Sequence, residues 1–293
     1  MASTLFCGAQ IPAVPMPSVG VPQGTAYGLG PDSTLPPKTD TVRTKDKAGK
    51  LREEYTAYPS ASGREMLKHG TYKRYDDQGR LWTQSEWRRG KKVGLSQFFF
   101  ENGKASETIE YSDDLKNGLH CWFDRDGHKV REAVFQAGVQ NGLEREWLAN
   151  GVLTKETMLD SGAWNGIARS FYANGKPERE GSFRHGMREG VHKSWDSTGA
   201  LRELVRWKAN QQDSLTQVYF TDGRVQTESW WKAGKRVGPT RTWFQQSDKM
   251  QSEVWFDSGL RDGISRFWNQ SGVLVKSEMW RKGICTSGCN NVK

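Results

Sequence analysis

Side chains able to do chemistry are few in this sequence, and they fall at irregular intervals. Five histidines stand at positions 69, 120, 128, 185 and 192, and four cysteines at 7, 121, 285 and 289. A nucleophile needs a base within hydrogen-bond reach and a third group to orient that base. No histidine here keeps a repeated spacing to a Ser, Cys or carboxylate that would supply such a relay. Cys121 directly follows His120, but neighbours along a strand point to opposite faces, so the two side chains do not meet. Glycine-rich turns such as Gly90 to Gly94 lack the following helix that would complete a phosphate cradle. Cys285 and Cys289 form a Cys-x3-Cys pair with two readings: a short disulfide in an oxidising compartment, or two unpaired thiols near the chain end. No histidine or further cysteine lies near them in sequence to complete four zinc ligands. The expectation is a protein that is not an enzyme and uses no metal or cofactor.

The carboxylates that do recur, Glu132, Glu156, Glu180, Glu228 and Glu253, recur because the whole chain does. Gly70, Gly94, Gly118, Gly142, Gly166, Gly190, Ser214 and Gly238 are spaced 24 residues apart, and Gly263 follows after one inserted residue. Five positions after each comes an aromatic, from Tyr75 and Phe99 to Trp243 and Trp268. A second glycine follows, preceded by a turn residue in Asn102-Gly103, Asp126-Gly127, Asn150-Gly151, Asn174-Gly175 and Asp222-Gly223. These dipeptides suit a type I′ hairpin turn. A second aromatic column runs through Trp87, Tyr111, Phe135, Phe183, Trp207, Trp231, Phe256 and Trp280, with Leu159 as the exception. Such a period means one small supersecondary unit copied about nine times, each copy needing a neighbour to bury its apolar side. The fold class expected is all-β, an elongated single-layer meander of repeated β-hairpins.

Alternation along each strand predicts which columns share a face. Both aromatic columns are expected on one buried face, together with the apolar column after the starting glycine (Leu95, Leu119, Leu143, Ile167, Val191). Basic and amide residues at Lys73, Gln97, Arg145, Arg169, Lys193, Gln217, Arg241 and Arg266 lie between them, and Cys121 reads as a plain substitution in that column. The glutamates are expected on the opposite face. Phe98, Trp122, Trp230, Trp255 and Phe267 are extra rings on that second face, and Trp164 lies in a turn. Exposed rings in clusters mark interaction surfaces, so these six are the expected partner-binding residues.

The pattern Gly-x4-aromatic-x2-Asn/Asp-Gly-x7-aromatic-x2-Gly-x3-Gly, plainest between Gly142 and Gly190, resembles the MORN-variant repeats of bacterial proteins grouped as the YwqK family. The family takes its description from the antitoxin component of a toxin–antitoxin pair. The resemblance extends from residue 70 to about 288, with departures at Asp114, Asn210 and Ser214, which replace glycines, and at the longer Ser247-Asp248 turn. It implies a MORN-like array that binds another protein without catalysis, of an antitoxin or immunity type in which the partner is a toxin.

The remaining segments are of a different character. Residues 1–44 carry seven of the ten prolines and no periodicity, which predicts an extended tether. Residues 45–69 read as a capping half repeat, residues 70–288 as the array, and 289–293 as a tail. Cys7, followed by glycine and the Pro-rich stretch, has two readings: the lipid-modified first residue of a mature bacterial lipoprotein, or an ordinary tail residue. The alternative function is accordingly an envelope-associated scaffold that binds cell wall or membrane, and periplasmic, lipid-anchored and cytoplasmic locations all stay open. The net charge is +9, but basic and acidic residues are interleaved along the repeats instead of gathered in one run, which argues against nucleic acid as partner. No small-molecule substrate is expected.

Overall fold

The computed structural model of the protein describes residues 39–289. Most of the Pro-rich segment, with Cys7, lies outside the described residues. Among the described residues every regular element is a β-strand, so the fold is all-β. The chain divides into two units, Met1–Asp114 and Leu115–Lys293. The first contains β1 (Asp40–Lys45), β2 (Leu51–Pro59), β3 (Met66–Tyr75), β4 (Leu81–Arg88), β5 (Lys91–Phe99) and β6 (Ala105–Ser112). Each pairs antiparallel with the strand before it. The second runs β7 (Leu115–Phe123), β8 (Lys129–Gln136), β9 (Val139–Trp147), β10 (Leu153–Asp160), β11 (Ala163–Phe171), β12 (Pro177–Arg184), β13 (Met187–Trp195) and β14 (Leu201–Lys208). It continues with β15 (Gln211–Gln212), β16 (Ser214–Tyr219), β17 (Val225–Lys232), β18 (Lys235–Trp243), β19 (Met250–Asp257), β20 (Leu260–Trp268), β21 (Leu274–Arg281) and β22 (Ile284–Ser287). This too is an antiparallel meander of hairpins, in which β15 and β16 both pair with β14.

Two turn types alternate, and the type I′ turns are not where the Asn-Gly dipeptides predict them. After β5, Phe100 donates its N–H to the Lys104 carbonyl while Gly103 donates to the Phe100 carbonyl. Gly103 alone has positive φ in that loop. This is a three-residue loop ending in a left-handed glycine. The next turn, at Ala137-Gly138, Ser161-Gly162, His185-Gly186 and their equivalents, has positive φ at both residues, which is the type I′ signature. Asp114, Asn210 and Ser214 take the same left-handed conformation as the glycines they replace. Only at Ser214 does the strand break, into β15 and β16.

The register also regroups the faces. Tyr72 pairs with Ser85, and Gly70 with Trp87. Leu119 pairs with Val134, and Gly118 with Phe135. An even position on the strand entering a hairpin therefore meets an odd position on the strand leaving it. The second aromatic column thus shares a face with Ser96, His120, Glu144, Ala168 and His192, not with the apolar column after the starting glycine. Leu95, Ile167 and Val191 are exposed, where the sequence pattern expects them buried. The buried residues of this first face, here the ring face, are mostly small: Ser85, Ser96, Ile109, Ala133, Thr157, Val205, Ser229, Val254 and Ser265. Long side chains on either side lean over them, which is how a single sheet layer hides apolar surface. Each buried Ile or Val there contributes about 1.5–3 kcal/mol.

The other face carries the basic column and the glutamates together, in place of the separation expected from sequence. Arg145 stands between Glu132 and Glu156, at 3.3 and 2.8 Å, and Arg169 between Glu156 and Glu180, at 3.2 and 2.8 Å. Arg241 and Arg266 flank Glu253 in the same way. This is the ladder face. Cys121 lies on it opposite Glu132. It is fully buried and disulfide-bonded, and so more than a substitution in the basic column.

Candidate binding groove

In unit 1 the ring face around Tyr72 is closed by its own side chains. The Lys68 ammonium lies 4.1 Å from the centre of the Tyr72 ring, 4.8 Å from Trp87 and 5.1 Å from Tyr55. Burial pulls its pKa below the ordinary lysine value, and the nearby Lys92 charge acts in the same direction. The Tyr72 hydroxyl donates to Glu53 at 2.8 Å. Burial, with that carboxylate beside it, pushes the phenol up to about 12.

In unit 2 the equivalent columns leave an opening. Strands β10 to β14 line a groove of about 660 Å³, within the size range of ligand sites. Its floor is made by Thr157, Ala168, Ser170, Gly181, Ser194 and Val205. Gly181 is the only glycine in a column otherwise held by Ser85, Ile109, Ala133, Thr157, Val205, Ser229, Val254 and Glu278. It is required by space: a Cβ there would overlap the His192 ring. His192 donates from Nε2 to the Ser182 carbonyl at 2.9 Å, and burial lowers its pKa, which leaves it neutral at pH 7. One wall is a row of rings meeting edge to face. Trp164 meets Phe183 at 4.8 Å and 87°, Phe183 meets His192 at 5.2 Å and 68°, and His192 meets Trp207 at 6.1 Å and 65°.

Charges rim the groove. The Arg188 guanidinium lies 3.4 Å from the centre of the Trp207 ring and donates from Nε to Asn210 at 2.8 Å. Lys155 sits 5.9 Å from Trp164 and is ion-paired with Glu146 at 3.2 Å. Arg179 and Glu203 are exposed on the other side, and the second carboxylate of the lining, Glu180, is ion-paired with Arg169. Among the described residues neither Arg179 nor Arg188 has a carboxylate within ion-pair distance. The Thr157 hydroxyl is buried and has no hydrogen-bond partner among the described residues.

The six rings singled out from sequence do not form one surface. Trp164, 38% exposed, is part of the groove wall. Trp122 lies on the ring face stacked on His120, their centres 3.6 Å apart, with Arg131 4.6 Å from its ring. Phe98 and Phe267 belong to the same column as Trp122, opposite Thr83 and Ser252. Trp230 and Trp255, 42% and 40% exposed, are on the ladder face, paired with Leu215 and Pro239. Cys285 and Cys289 are joined by a disulfide, and Cys7 lies outside the described residues. Gly181, His192, Arg179 and Arg188 were not singled out from sequence. A glycine interrupting a column of small and branched residues is the signal that points to them.

Comparison with known proteins gives a local match. No curated protein matches the chain. Among solved structures, it is similar to part of the crystal structure of TcdB2-TccC3, at 11% identity with a TM-score of 0.16, over 81% of this chain and 14% of that chain. The chain therefore spans well under two thirds of that protein's length. Residues 164–185 match the MORN repeat variant. They run from Trp164 through Gly181 to the β12–β13 turn, along one side of the groove, and they support reading the chain as a MORN-repeat protein that acts as a scaffold or binding module.

Proposed function

We propose that this chain is a non-catalytic repeat scaffold that binds another polypeptide on the ring face of unit 2. The observation that carries the reading is the open groove between β10 and β14, walled by Trp164, Phe183, His192 and Trp207. Aromatic and Arg side chains around a recess are the usual anchors of protein interfaces. The finer role implied by the sequence resemblance is neutralisation of a toxin.

The test is affinity capture with the full chain, reconstitution of the complex from purified components, and hydrogen exchange to map the contact. The expected result is a protein partner that protects β11 to β14 and is weakened by Trp164→Ala, a partly exposed position whose loss leaves the fold intact. Recovery of nucleic acid alone, released by moderate salt, overturns the reading. If the partner arrests growth when expressed alone and co-expression of this chain restores it, the antitoxin role holds. A harmless partner removes that role.

A further inference from the structure

We infer that the groove of unit 2 takes an acidic peptide segment in extended form, with carboxylates at Arg179 and Arg188 and an apolar side chain seated over Ala168, against the His192 ring. The inference rests on the binding function proposed above and names the chemistry of the partner.

Charge is the first argument. Arg179 and Arg188 lie on opposite sides of the recess, and neither is ion-paired among the described residues. A guanidinium fork is matched by a carboxylate, with which it forms paired charge-assisted hydrogen bonds. The floor is the second argument. Ala168 is the smallest residue of a column that holds Tyr72, His120 and His192 in other repeats, so the space that a larger side chain fills there is open between the cations, beside the His192 ring that covers its cross-strand neighbour Gly181.

Ring geometry distinguishes a peptide from the other anionic polymers. Sugars and nucleic-acid bases need an open aromatic face on which to stack. Here the Trp207 face is covered by Arg188 at 3.4 Å, and the Lys155 ammonium stands 5.9 Å from the centre of the Trp164 ring. The wall therefore sets cations beside its two indoles, which suit an aliphatic side chain flanked by carboxylates.

The test is fluorescence anisotropy with the full chain and a labelled peptide alternating aspartate and leucine, at physiological salt. The expected result is saturable binding, weakened on the order of ten-fold in the double variant Arg179→Gln/Arg188→Gln. Ala168→Leu, which fills the floor without changing charge, should weaken it similarly, and thermal melting of both proteins verifies that they are folded. Unchanged binding in the two folded variants overturns the inference. So does equal or tighter binding, lost in the same variants, of an oligomeric uronic acid or a single-stranded oligonucleotide. If a partner protein captured by the chain is held equally by the double variant, the binding function stands and this inference falls.

Discussion

Unit 1 and unit 2 share one backbone plan, yet the recess at Tyr72 in one is closed and its counterpart at Ala168 in the other is open. Near Tyr72 the recess is filled by the ring itself, and Lys68 lies over it and its neighbour Trp87. Four repeats along, the positions of Tyr72, Ser85 and Lys68 are held by Ala168, Gly181 and Trp164. The small Ala168 leaves room where Tyr72 fills it, the His192 ring takes the space over Gly181, and replacing the lysine by an indole takes away the internal cation that would have covered the recess. What remains is a slot whose cations, Arg179 and Arg188, stand at its edges instead of over its centre. The lesson is that the repeat supplies a frame, and that its binding capacity is set by a few substitutions in inward columns.

The largest expected effect comes from closing the open recess. Gly181→Leu puts a branched side chain where a Cβ already overlaps His192. Overpacking of this kind costs about 1–3 kcal/mol, so urea unfolding should shift to lower midpoint, and peptide binding should be lost. Wild-type stability together with full binding would mean that the slot is not where the ligand sits. Opening the closed recess is the converse experiment. Lys68→Ala removes a half-buried ammonium from contact with three rings, and the expected cost is about 1 kcal/mol in chemical denaturation. A larger change than that of Gly181→Leu would reverse the ranking of the two regions.

The smallest effect is one of pH. Because burial lowers the pKa of His192 in the folded protein, the unfolded chain binds the proton more readily. Stability should therefore fall as pH drops from the ordinary histidine value of 6.5 toward the lowered folded value, and this contribution is fully present above 6.5. His192→Gln, whose amide can still donate to the Ser182 carbonyl, should flatten that part of the pH–stability curve. An identical slope in the variant would assign the dependence to other groups.

Much of the hairpin plan was legible because turn chemistry and alternation are local. The Gly spacing located strands and turns along the chain, and left-handed φ at Gly103 and Gly138 needs only the residues around them. The groove was less legible, because it depends on which columns meet across strands. Trp164 was visible as a ring outside the regular columns. Arg179 and Arg188 looked like ordinary members of a solvated repeat, and His192 like a strand-start residue.

By itself, the sequence determined the period, the antiparallel hairpins and the glycine-dependent turns, since each follows from steric limits on a few adjacent residues. Only the tertiary structure decided the faces. Alternation does not pass through a hairpin in phase: Tyr72 meets Ser85 and Leu119 meets Val134, so even and odd positions exchange roles at each regular turn, while the longer turn after β18 keeps them, with Thr240 opposite Val254. That exchange put Arg145 between two glutamates, sent Trp230 and Trp255 to the face opposite Trp122, and set Gly181 under His192 to leave the space between β10 and β14.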